Sequence, residues 1–172
     1  MSRSYYLALA ALLLFVWRPT FGASENVAPK SPKDIVCPNV AVSGTSESTT
    51  EVLKRITDKA EALMKARVEH GAPWNEIHAL VQIDVMSNMM TLSTLVISRS
   101  PSDSKASEVS FDELMAHTQQ SAKIVNGLIY GDAALALAKV EGSAPVSALK
   151  DLHCEISVLG ENVRKLWEQL PK

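Results

Sequence analysis

The chain is poor in the residues that carry most short-range chemistry. Among 172 residues there are two cysteines and four histidines, and the histidines are scattered. No CxxC, HExxH, GxSxG or glycine-rich phosphate loop occurs, nor any paired spacing suited to zinc. Enzymes and metal folds that announce themselves by a local motif are thereby excluded. A helical enzyme that gathers single side chains from several helices is not. Positive charge is also short: 17 Lys and Arg stand against 19 Asp and Glu, with no basic block. That argues against nucleic acid or an anionic membrane surface as a ligand. No segment shows the period-two alternation of a half-buried strand, so a sheet is not expected.

What is present begins with an apolar run, Tyr5 to Trp17, behind Arg3 and ended by Arg18-Pro19. This is the length of a signal-peptide core and short for a transmembrane helix. Thr20 and Gly22 suit cleavage after Gly22, and cleavage after Ser24 also fits. Residues 1–22 are therefore expected to be a signal peptide, with the mature protein periplasmic or secreted and not inserted in a membrane. No cysteine follows the run closely, so no lipoprotein signal is read. Loss of Arg3 and Arg18 takes the net charge from −2 to −4. The remaining chain, about 150 residues, has the size of one domain and can bury roughly two-thirds of its unfolded surface.

Residues 23–48 read as an extended arm, carrying Pro29, Pro32, Pro38, Gly44 and much of the polar run SGTSESTT. Residues 49–172 read as one all-α domain, an antiparallel four-helix bundle. The first helix is expected over about Thr49–His70. Ser48-x-x-Glu51 would cap it, Leu53, Ile56, Ala60, Leu63 and Met64 would face inward, and Gly71 would stop it. Glu51/Arg55, Lys54/Asp58 and Glu61/Lys65 have the spacing of a solvated face. A second helix is expected from Pro73 to about Ser98, then a polar loop, RSPSDSKASEV. Ser110-x-x-Glu113 would open the third, with Leu114, Val125, Leu128 and Ile129 inward; GDAALALAKV would continue it or form a short extra helix. The fourth, with Pro145 in its first turn, is the clearest. Leu149, Leu152, Ile156, Leu159, Val163, Leu166 and Leu170 alternate at spacings of three and four, an unbroken heptad seam.

The stretch DLHCEI, 151–156, sets His153 beside Cys154. Adjacent helical residues point about 100° apart, so they do not make a nucleophile and its base. Relative to the seam, Cys154 lies on the outer face. Pairing with Cys37 would staple the arm to the fourth helix, Ile35-Val36 lying across it toward Val158. The alternative is an exposed thiol that links two chains.

No cofactor and no metal are expected. His70 suits a helix C-terminus, and Glu113/His117 at i,i+4 reads as a solvated pair. A haem held by Met and His on facing helices would lack a CxxCH attachment. Met86, Met89 and Met90 could bind soft Cu(I), but three methionines on an apolar helix more often pack.

The second helix is apolar on more than one side. One stripe, Trp74, His78, Val81, Val85, Met89, Leu92 and Val96, is read as the core seam. Another, Ile83, Met86, Met90 and Ile97, is read as a surface for a partner protein or a second copy of this chain, the alternative being that helices 1 and 3 or the long loop cover both stripes. Between Glu76 and Arg99 the only charge is Asp84, and a helix apolar nearly all round is buried or meets a partner. The function expected is that of an exported, non-catalytic interaction protein: an inhibitor, immunity protein, chaperone or envelope accessory subunit. The alternatives are a metal- or haem-binding periplasmic bundle and a helical enzyme with a site inside the bundle. For the enzyme, Asp84 and Asn88 form the one polar pair noted on this helix.

Overall fold

The computed structural model describes residues 35–38, 42–99, 104–131 and 144–169. The expected signal peptide, most of the arm, the segment 132–143 and Leu170 lie outside the described residues. The described chain forms four long helices: α1 (Ser46–Glu69), α2 (Trp74–Arg99), α3 (Ser104–Tyr130) and α4 (Ala144–Gln169). α1 packs on α2 and α4, and α3 packs on the same two, so α2 and α4 sit on one diagonal of a four-helix bundle. Arg55 of α1 meets Glu155 of α4, and Lys165 of α4 reaches Val42 just before α1. As residue number falls along α1 it rises along α4, so these neighbours run antiparallel.

The α4 seam is buried from Leu149 to Leu166. It meets Leu53, Ile56, Ala60 and Leu63 of α1 and Leu114, Val125 and Ile129 of α3 in one core; Leu128 and Met64 pack at its edge. Each fully buried Leu or Ile contributes roughly 1.5–3 kcal/mol over an exposed one, so this shared interior dominates the fold's stability.

Two helix starts differ from the sequence reading. α1 begins at Ser46, because Thr45 and not Ser48 is its cap. Thr45 Oγ1 accepts from Ser48 N–H, and Ser48 Oγ accepts from Thr45 N–H, a reciprocal box that draws the end of the polar run into the helix. α3 begins six residues before Ser110. Its first turns bury Ser107 and Ser110 where an apolar residue would have shown the period. At the other end of α1, Gly71 adopts φ 70°, and its N–H and that of His70 close onto the last carbonyls.

Cys37 and Cys154 are disulfide-bonded across 117 residues, with Cα atoms 5.3 Å apart. Ile35 packs on the core while Val36 points to solvent, so only the first of the two expected residues lies down. A second tie follows. Lys165 Nζ donates to Val42 O at 2.8 Å, and Gly44 sits buried against Lys165 with φ 68°. A Cβ at Gly44 would collide with the Lys165 Cβ, so glycine is required there for both its backbone conformation and its size.

Candidate interaction surface

α2 carries two faces, and the structure exchanges the roles expected of them. Ile83, Met86, Met90 and Ile97, expected at a partner surface, are core; Ile83 and Met90 have no exposed surface. Trp74, Val85, Met89, Leu92 and Val96, expected as core, are exposed: Trp74 by 74%, Leu92 by 65% and Val85 by 50%. His78 and Val81 are half-buried between them, and Leu95 extends the exposed face along one edge. At about 100° per residue the two faces lie on opposite sides of the helix.

The inner face is a seam of its own. Glu76, Leu80, Ile83, Ser87, Met90, Thr94 and Ile97 alternate at spacings of four and three, and all are buried. Three of the seven are polar, which is why hydropathy alone selected the other side. Each polar member has a partner. Ser87 Oγ donates to Leu53 O at 2.9 Å and also meets Thr57 Oγ1, Thr94 Oγ1 donates to Met90 O, and Glu76 pairs with Arg67. The Arg67–Glu76 pair is two-pronged: Nε donates to Oε1 and Nη2 to Oε2, with both side chains almost wholly buried. It clamps the end of α1 to the start of α2 across a four-residue turn. A buried pair of this kind needs such geometry to offset its desolvation. Counting hydroxyls and the Glu as seam members would have revealed the inner face.

The outer face carries no such network. Asn88 Nδ2 donates to Asp84 O and Oδ1 one turn back, so the one polar pair considered for an enzyme site is exposed and closed on itself. Trp74 and His78 bring their rings to 6.2 Å. Met86 and Met90 point inward and Met89 outward, so the three methionines do not converge on one soft-metal site.

The other candidate groups are dispersed. His70 is exposed as the C-cap of α1. His117 is half-buried, and Glu113, its i,i+4 companion, accepts from Ser93 Oγ of α2 at 3.2 Å. His153 is half-buried beside the disulfide; burial lowers its pKa, and its Nδ1 has no hydrogen-bond partner among the described residues. No three acidic, histidine or cysteine side chains gather as a metal site among the described residues. Arg55 and Lys59 both pair with Glu155, tying α1 to α4 near the half-exposed rim. By length and composition α2 could cross a membrane; in this structure its inner face is packed between α1 and α3. No protein-family model, curated protein or solved structure matches the chain.

Proposed function

We propose that this chain is an exported, non-catalytic helical-bundle protein that works by protein–protein contact through the outer face of α2. One observation carries the reading. Trp74, Val85, Met89, Leu92 and Val96 stand in line and exposed on a helix whose opposite face already completes the core. Stability of the bundle gives no reason for a second apolar face, and contiguous exposed apolar surface of this kind marks an interaction site. Methionine and leucine on it suit an adaptable contact. Export is supported by the apolar run at 5–17 and by a disulfide, which persists in an oxidising compartment such as the periplasm or the cell exterior.

A photo-crosslinking residue placed at Leu92 in living cells tests the contact, with Lys150 on the exposed face of α4 as control. Protein adducts at 92 and none at 150 are expected. No adduct at 92, or the same adducts at both, overturns the reading. Sequencing the N-terminus of the exported protein should give Ala23 or Glu25; an intact Met1 overturns the assignment of residues 1–22.

A further inference from the structure

The outer face of α2 needs an occupant, and the described arm residues 35–38 lie away from it. The disulfide holds Cys37 on α4, and α4 is the helix diagonal to α2. We infer that the occupant is a second copy of this chain, with the two α2 helices packed face to face and antiparallel across a two-fold axis. This inference rests on the reading of that face as an interaction surface and adds the partner's identity.

Trp74, His78, Val81, Val85, Asn88, Leu92, Leu95 and Arg99 follow intervals of four and three without a break, the period of a helix–helix seam. The inner face has the same period, so α2 is patterned for two helix packings, of which the bundle uses one. The centre of the run lies between Val85 and Asn88, where a two-fold axis would set one against the other.

In a two-fold contact a surface meets itself, so any charge on it meets its like unless the geometry separates them. Between Glu76 and Arg99 the only charge on α2 is Asp84, at the margin of the face. An acidic or basic partner would find no complement there. An anionic membrane surface would require flanking Lys and Arg, of which α2 has only Arg99. The ends of the seam fix the direction. A parallel pair would set Arg99 against Arg99. An antiparallel pair sets Arg99 of one copy over the exposed ring of Trp74 of the other, a cation–π contact, near the end of α1 that carries Glu69.

Trp74, Val85, Met89, Leu92, Leu95 and Val96 together leave on the order of 600 Å² of side-chain surface open. Two copies would cover roughly 1,200 Å² before any rim contact, the lower bound of specific interfaces.

Sedimentation velocity of the mature, disulfide-intact protein is expected to give twice the chain mass, and Leu92→Glu the mass of one chain with unchanged helical circular dichroism. Single chain mass for the wild type across the accessible concentration range overturns the inference, as does a Leu92→Glu variant that remains dimeric. Orientation is read with single cysteines, a measurement that does not depend on that variant folding. Val81→Cys mixed with Leu92→Cys should cross-link to each other in preference to themselves. Self-linking of each alone overturns the antiparallel arrangement. A monomer that floats with phosphatidylcholine–phosphatidylglycerol vesicles, and loses flotation in Leu92→Glu, overturns the inference in favour of a lipid surface. A monomer whose position-92 adducts contain only a different protein overturns the second copy and leaves the interaction reading standing.

Discussion

α2 and α4 face each other diagonally across the bundle, each 26 residues long and opposite in what they present to solvent. α4 has one apolar face, and its other side carries Lys150, Asp151, Glu161, Arg164 and Glu168 together with the staple to the arm. Glu161 and Glu168 both pair with Arg164, as on an ordinary solvated face. α2 has two apolar faces, and the more apolar of them is outside. The difference separates two reasons for hydrophobic residues on a helix. On α4 they mark the interior. On α2 the interior is marked by small hydroxyls and a buried ion pair among fewer large side chains, and the outward stripe has a separate cause.

The comparison can be attacked through the polar members of the α2 seam. Glu76→Ala removes a buried partner of Arg67 and should cost up to about 3–5 kcal/mol in denaturant unfolding. A loss below about 1 kcal/mol, the scale of an exposed pair, would mean that the pair is not buried in solution. Ile83→Ala on α2 and Leu159→Ala on α4 should each cost about 2–5 kcal/mol, since both side chains are fully buried. A much smaller loss for Ile83→Ala would break the claim that this face of α2 builds the core. On the α4 side, replacing Cys37 and Cys154 together by Ala should lower stability by about 2–4 kcal/mol, through a loop that spans most of the bundle. An unchanged melting temperature would show that the staple adds nothing.

The smallest effect is a pH dependence from the same part of α4. Burial holds the His153 pKa below its ordinary 6.5. Between that lowered value and 6.5 the unfolded chain binds a proton that the folded chain does not. The contribution is therefore complete above 6.5 and is lost as pH falls through that window. His153→Gln should flatten the stability profile there; a wild-type profile that rises on acidification across the window would contradict the assignment.

The bundle itself was legible because α4 alternates leucine, isoleucine and valine with charge, and because Gly71 stops α1 where the period ends. The staple was legible because Cys154 falls opposite its own helix's seam. The start of α3 was not, since Ser107 and Ser110 occupy core positions without a hydrophobic signature. Hydropathy turns α2 inside out for the related reason that Ser87, Thr94 and Glu76 gain their place by hydrogen bonds and pairing, which it does not weigh. The exposed stripe was visible in the sequence as a pattern. Which of the two patterns faced solvent depended on partners in α1: Arg67, Leu53 and Thr57.

The central claim is that the two faces of α2 have opposite roles, one building the bundle and one left for contact. Denaturant unfolding of Met90→Glu beside Leu92→Glu, at protein concentrations where the wild type is a single chain, tests it directly. The account predicts that Leu92→Glu stays within about 0.5 kcal/mol of wild type, while Met90→Glu, with a charge buried in the core, loses more than about 4 kcal/mol or fails to fold. The reverse pattern, with Leu92→Glu unfolded and Met90→Glu intact, would contradict it.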